Sequence, residues 1–210
     1  MYLNNSYKLL VILLIASYDE VVPKTCENFK QLATKGIDGK TYVGTKFHTA
    51  IERIMIQGGD IVNNDGSGSI SIYGKYFDDE NFTIKPDSSG LLVMANNGPN
   101  TNGCQFFAIT LPTPWLEGKN VVFGKVLKGA EIIHTIEHLK TDVNDRILKS
   151  VIIAKSVLPL EIVPFDEITC KNKIDRLLVI VTVIHKLLEV PQLTALTGQN
   201  EASAVYELVK

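Results

Sequence analysis

Short apolar runs, separated by polar and glycine-containing turns, recur along most of this chain. Runs of this length, bounded by turn residues, are typical of β-strands. The 15 glycines and 8 prolines also favour strands and turns over a helix bundle. The pattern predicts strands at residues 9–18, 46–49, 54–56, 91–95, 105–110, 121–126 and 151–154.

Two segments have the spacing of a helix instead. The first opens at Pro23 and ends at Gly36, as expected from proline at a helix start and glycine just past its end. Its apolar positions recur every three to four residues: Cys26, Phe29, Leu32 and Ala33. The second helix is predicted over residues 129–139, with Ile132, Ile133 and Ile136 on one face.

Many short strands with two helices predict a mostly β fold, a closed antiparallel barrel, because closure removes the exposed edges of a sheet. The character of the sequence changes after about residue 160. We therefore predict an N-terminal extension at residues 1–8, one domain at residues 9–160, and a partly helical C-terminal tail at residues 161–210.

Two longer apolar runs lie near the ends of the chain. Residues 9–16 suit either a buried strand or the apolar core of a signal peptide, and the strand is favoured because no clear cleavage site follows. Residues 177–184 suit a terminal helix or a degenerate anchor. Both runs are too short to cross a bilayer.

Composition excludes several classes of function. The net charge of −2 offers no basic surface for nucleic acid and little attraction to anionic membranes. The three cysteines are widely spaced and form neither a disulfide framework nor a zinc pattern, so we expect buried free thiols. No metal site is expected, and His134 and His138, four apart on the second helix, are interpreted as a solvated face.

The remaining candidate functional residues have apolar or amide side chains. Each of them, taken alone, would be interpreted as an ordinary core or surface residue. They are Ile54, Met55, Gln57, Asn96, Gln105, Phe107, Trp115 and Leu116. Together their contexts, MIQGGD, MANNGPNTNGCQFF and WLEGKNVVFGKV, resemble the cyclophilins, a family of peptidyl-prolyl isomerases. The resemblance runs from about residue 9 to residue 154. The segments KGIDGKTYVG, GDIVN and NGCQFF look most like the secretory branch of that family.

The resemblance implies a fold and a set of roles. The family fold is an eight-stranded antiparallel barrel capped by two helices. Met55, Phe107 and Leu116 match the pocket that holds the proline ring. Residues matching those that hydrogen-bond the substrate backbone are Gln57, Asn96 and Gln105. Trp115 matches a tryptophan at the rim, and Gly66 lies in a loop that borders the neighbouring pocket.

This chain departs from the family pattern at several positions. Thr49 stands where the family has the arginine that donates to the prolyl nitrogen, and threonine is too short and neutral to replace a guanidinium. Arg53, in the following turn, is not expected to take over. Ile54 replaces a phenylalanine, Asn97 an alanine and Asn120 a histidine. The opening strand of the family is expected to be missing or degenerate.

We therefore expect a cofactor-independent peptidyl-prolyl isomerase that assists protein folding, with catalysis weakened at Thr49. The alternative is a non-catalytic chaperone that binds proline-containing segments. The expected partners are proline-containing polypeptides and a cyclosporin-like cyclic peptide, with no nucleic acid or membrane, and the protein is expected to be a monomer. A secretory location is expected from the N-terminal run and the Asn81-Phe82-Thr83 sequon, with a cytoplasmic location as the alternative. N-terminal sequencing of the mature protein tests it.

Overall fold

Eight strands and two helices make up the architecture. The computed structural model describes residues 8–157 and 176–185. The strands, all paired antiparallel, are β1 (Lys8–Ser17), β2 (Phe47–Ile51), β3 (Met55–Gly58), β4 (Leu91–Met94), β5 (Phe106–Ile109), β6 (Val122–Lys128), β7 (Val151–Val157) and β8 (Arg176–His185). The helices are α1 (Pro23–Thr34) and α2 (Ala130–Glu137), and a short 3₁₀ turn spans Pro114–Leu116.

The strands form one sheet in the order β2-β3-β5-β4-β6-β1-β8-β7. The predicted mostly β, antiparallel fold with two helices is confirmed. The predicted closure is not, because β2 and β7 lie at the two ends of this order without a shared ladder. The residues just before β2 nevertheless meet β7. Gly44 N–H donates to the carbonyl of Ile153 over 2.8 Å, and Ile153 N–H donates to that of Thr45 over 2.9 Å.

The two helices form where the apolar spacing places them. Pro23 begins α1 without losing a hydrogen bond, because the first helical N–H has no partner within the helix. Phe29 and Leu32 on its inner face are completely buried. In α2 the buried positions include Ile132, Ile133 and Ile136, as predicted.

An aromatic cluster occupies the centre of the core. The ring of Phe29 on α1 meets Phe106 of β5 edge-on at 5.0 Å and Phe123 of β6 at 4.8 Å. Tyr42 joins them, and its hydroxyl donates to the carbonyl of Cys104 over 2.7 Å. Successive strand residues point to opposite faces. Because Phe106 points into this cluster, Phe107 points to the other face of β5.

The two long apolar runs both form strands. The strand interpretation of residues 9–16 agrees with β1, which pairs with β6 on one side. On the other side β1 pairs with β8 from Lys8↔His185 to Ser17↔Arg176. The helix or anchor expected at residues 177–184 was wrong, because this segment fills the place between β1 and β7. Such branched apolar runs satisfy their backbone groups equally well in a sheet.

The domain limits stay a prediction, because the rest of the tail and residues 1–7 lie outside the described residues. The expected free thiols are observed for Cys26 and Cys104, which are buried, and Cys170 lies outside the described residues. Within residues 8–157 and 176–185, no helix has the length and apolar character needed to cross a bilayer.

Candidate active site

A row of side chains crosses β2, β3 and β5 on one face of the sheet. Thr49 pairs with Gln57, and Gln57 pairs with Phe107. Residues directly opposite each other in antiparallel strands project to the same face, with Cβ atoms about 4.5–5.5 Å apart. The structure therefore brings together three residues that the sequence singles out, Thr49, Gln57 and Phe107: a hydroxyl, an amide and an aromatic ring.

Gln105 connects this row to the glycine-rich loop at residues 60–68. Its Nε2 donates to the carbonyls of Gly66 and Gly68 over 2.9 and 2.7 Å. Since carbonyls can only accept, these two bonds fix the orientation of the amide. Its Oε1 then accepts from Gln57 Nε2 over 2.8 Å and lies 3.2 Å from His48 Nε2. The predicted backbone-binding residue is thus the centre of a buried network.

The network fixes the direction of the Thr49 hydroxyl. Because Gln105 Oε1 can only accept, the proton of the His48 ring lies on Nε2. The other ring nitrogen, Nδ1, is then an acceptor, and Thr49 Oγ1 donates to it over 2.9 Å. Burial lowers the pKa of His48, which keeps this ring neutral near pH 7. The Thr49 proton is therefore directed toward the histidine.

Asp60 holds the loop at residues 60–68 in shape. Its Oδ1 accepts from the backbone of Val62 and Asn63, and its Oδ2 from the backbone of Asp65, Gly66 and Gly68. Burial alone would raise the pKa of this carboxyl, but the backbone donors outweigh it and lower the pKa to about 2. The ionised carboxylate thereby places the two carbonyls that hold Gln105.

Gly66 lies directly against the histidine ring. Its φ of +91° is in the region that favours glycine, and a Cβ there would lie 2.9 Å from His48 Cε1. The residue predicted to border the neighbouring pocket is therefore required for the close approach of loop and ring.

A second group of predicted residues joins two loops beyond β4. Asn96 Nδ2 donates to the carbonyl of Lys119 over 2.8 Å, and Asn120 Nδ2 donates to that of Met94 over 3.0 Å. These bonds tie the loop after β4 to the turn that carries Trp115 and Leu116. Trp115 is 53% exposed, whereas Leu116 packs against the core.

The two groups are connected through β4 and β5. Phe107 pairs with Val93, and Ala95 N–H donates to the carbonyl of Gln105 over 3.1 Å. Met55 lies two residues before Gln57 on β3 and packs against the core. Ile54 is half-buried in the turn before it, and Asn97 is exposed in the loop after β4, with its backbone N–H bound to Thr101 Oγ1.

Three contributors were missed by the sequence reasoning. His48 and Asp60 position Thr49 and the glycine-rich loop, and Asp60 followed by closely spaced glycines was a usable signal for the latter. Arg146 forms an antiparallel bridge with Thr49. No local pattern marks Arg146, because it lies in a turn-rich segment far along the chain.

One group among the described residues has the donors of a metal site. A ligand atom from each of His134, Glu137 and His138 lies within 4.8 Å of the others. The carboxylate of Glu137 is already engaged, however. Its Oε1 accepts from Arg53 N–H and from the Thr110 hydroxyl, and its Oε2 lies 3.1 Å from His134 Nδ1. These contacts give the cluster a structural role, joining α2 to the β2–β3 turn.

The chemistry of the row suits a neutral peptide better than a charged substrate, since it offers amides, a hydroxyl and apolar groups. A family profile described as "Cyclophilin type peptidyl-prolyl cis-trans isomerase/CLD" matches residues 10–157. The chain belongs to this family.

Three relatives carry the corresponding names. The chain is 53% identical over 131 residues to the "Peptidyl-prolyl cis-trans isomerase, rhodopsin-specific isozyme" of Calliphora vicina, covering 62% of this chain and 56% of that protein. It is 46% identical over 164 residues to "Peptidyl-prolyl cis-trans isomerase D" of Saccharomyces cerevisiae, covering 78% and 72%. It is 50% identical over 133 residues to "Peptidyl-prolyl cis-trans isomerase H" of Mycosarcoma maydis, covering 61% and 85%.

Proposed function

We propose that this domain is a peptidyl-prolyl cis-trans isomerase acting on proline-containing polypeptides, with a rate limited by Thr49. Membership of the cyclophilin-type family and the names of the three relatives support isomerase activity. The observation that carries the proposal is the row Thr49–Gln57–Phe107, buttressed by Gln105.

Prolyl isomerisation requires only that the site stabilise a twisted amide. Resonance in the peptide bond creates a rotation barrier of roughly 18–20 kcal/mol, so uncatalysed prolyl isomerisation takes about 10–100 s. An apolar surface at Met55 and Phe107 holds the proline ring while the carbonyl side rotates. Gln57 and Asn96 hydrogen-bond the flanking backbone. No bond is made or broken, so catalysis consists of binding the twisted amide better than the planar one.

A donor to the prolyl nitrogen favours its pyramidal, non-resonant form. Thr49 does not supply this donor, because its hydroxyl proton is directed to His48 Nδ1. Removing one preorganised donor from an active site commonly costs about 10²–10³-fold in rate. The proposed rate is correspondingly low, while binding of proline peptides is retained.

The test compares wild type with Thr49→Arg in a proline-peptide isomerisation assay. We expect measurable wild-type turnover and a rise in kcat/KM of up to about 10²–10³-fold in the variant. Phe107→Ala is the matched loss-of-site control, and a cyclosporin-like cyclic peptide is expected to inhibit competitively. A variant no faster than wild type contradicts the role given to Thr49.

The second candidate is a non-catalytic chaperone that binds proline segments. The direction of the Thr49 hydroxyl favours it, because the site then keeps its binding groups without the donor. Peptide binding with no turnover in wild type, and turnover restored in Thr49→Arg, would establish this alternative over the first.

A further inference from the structure

Arg146 lies beside Thr49 in a short antiparallel pairing outside the named strands. Ala50 N–H donates to the carbonyl of Asp145 over 3.0 Å, and Ile147 N–H donates to that of His48 over 3.0 Å. These two bonds flank Thr49 and Arg146 and make them a non-hydrogen-bonded pair. Such pairs have Cα atoms about 4.5 Å apart, with their side chains close together on one face.

This pairing extends the row Thr49–Gln57–Phe107 by one residue. Thr49 pairs with Arg146 on one side and with Gln57 on the other, and Gln57 pairs with Phe107. Directly opposed residues share a face, so a guanidinium, a hydroxyl, an amide and a ring follow one another across four adjacent segments.

The Arg146 side chain reaches across this face toward the glycine-rich loop. One guanidinium nitrogen, Nη1, donates to the carbonyl of Asp65, the residue before Gly66. Burial is the main cause of the low pKa of His48, and the charge of Arg146 acts in the same direction, as expected for a cation close to the ring. Arg146 itself is exposed, so its side chain is accessible to a peptide that reaches this face.

We propose that Arg146 is a catalytic residue that supplies from the neighbouring segment part of the cationic donation missing at position 49. The guanidinium carries five N–H donors and a permanent charge, and it reaches farther than the threonine side chain. In the twisted state it donates to the prolyl nitrogen. This inference rests on the isomerase function proposed above.

Arg53, the other arginine close to Thr49 in sequence, is placed elsewhere. It lies in the turn of the β2–β3 hairpin, beyond the Ile51↔Met55 pair, and its backbone N–H is bound to Glu137. It is exposed and lies outside the row. Arg53→Ala is therefore a matched control that removes the same charge from an exposed arginine outside the row.

The experiment measures kcat and KM for wild type, Arg146→Ala, Arg146→Lys, Arg53→Ala and the double variant Thr49→Arg/Arg146→Ala. We expect Arg146→Ala to lower kcat about tenfold, less than the roughly 10²–10³-fold loss of a preorganised donor, because this exposed guanidinium is hydrogen-bonded to the Asp65 carbonyl in the absence of a peptide. The KM of Arg146→Ala should change little, and Arg146→Lys should retain intermediate activity. Arg53→Ala should have the same kcat and KM as wild type. The double variant should regain the rate lost in Arg146→Ala.

Two other outcomes overturn the inference separately from the function. Wild-type activity that survives Arg146→Ala unchanged refutes the role of Arg146 and leaves the isomerase proposal standing. A loss in Arg146→Ala that Thr49→Arg does not restore, with KM raised and the thermal midpoint lowered, assigns Arg146 to holding the loop alone. Absence of turnover in wild type and in Thr49→Arg refutes the isomerase proposal, and the role of Arg146 with it.

Discussion

Thr49 illustrates how one side chain takes its role from its neighbours. A threonine hydroxyl in isolation both donates and accepts. Here the neutral His48 ring accepts its proton, and Gln105 determines which ring nitrogen is the acceptor. The orientation of an amide two strands away thus decides what Thr49 offers to a substrate.

Gly66 gives a prediction at this scale. We expect Gly66→Ala to lower the free energy of unfolding by more than the about 1–2 kcal/mol that a left-handed backbone costs a non-glycine residue. The excess arises because the new Cβ would lie 2.9 Å from His48 Cε1. Chemical denaturation of wild type and variant measures the total loss in the free energy of unfolding.

Gly39→Ala is the control for that measurement. Gly39 has a φ of +74°, yet its added Cβ would meet no atom within 4 Å. Gly39→Ala should lower the free energy of unfolding only by the cost of the left-handed backbone. Equal losses at the two positions would mean that the contact with the histidine ring is unimportant.

Sequence reasoning could propose most of the candidate site residues because each lies in a local motif. It could not locate Arg146, whose position beside Thr49 depends on the register of two segments almost a hundred residues apart in the chain. It also gave no role to His48, because the ring is oriented by a tertiary contact with Gln105, although Thr49 is its neighbour in the sequence.

At the scale of elements, α2 is attached to the β2–β3 hairpin by Glu137. We expect Glu137→Gln to destabilise the protein by about 1–3 kcal/mol, because the amide oxygen still accepts from Arg53 N–H and the Thr110 hydroxyl but lacks the charge that strengthens both bonds. Thermal and denaturant unfolding measure the change.

Glu131→Gln provides the comparison on the same helix. Glu131 is exposed in the first turn of α2, where an acidic side chain contributes at most about 1 kcal/mol through the helix dipole. If both variants lost the same stability, the loss would follow from charge on α2 rather than from the attachment of the hairpin.

Helices and central strands followed from local patterns, because their apolar spacing and their proline and glycine boundaries agree with their tertiary surroundings. The segment 176–185 did not. An apolar run without clear period fits a strand, a helix or an anchor equally well. This segment forms a strand because its backbone groups pair with those of β1 and β7. A local sequence pattern cannot predict that pairing.

At the scale of the molecule, Asp60 links stability to pH. Its pKa in the folded protein is about 2, below the ordinary value of 3.8. The carboxylate therefore stabilises the fold above about pH 4, and this contribution, ~2 kcal/mol, is lost as the pH falls toward 2. Unfolding measured from pH 2 to pH 6 should show this fall in wild type.

Asp60→Asn tests the assignment. The variant should be less stable than wild type at pH 6, and the difference between the two proteins should shrink toward pH 2. A difference that stays constant over that range would show that the titration of Asp60 does not govern acid stability.

The position of β8 has a consequence for biosynthesis. β1 lies near the beginning of the chain and β8 near residue 180, yet the two share a ten-residue ladder. While the ribosome is still making the middle of the protein, one edge of β1 has no strand beside it. An open apolar edge invites pairing with other chains. We therefore expect the nascent polypeptide to be most prone to pairing with other chains until residue 185 has emerged and β8 can cover this edge of β1.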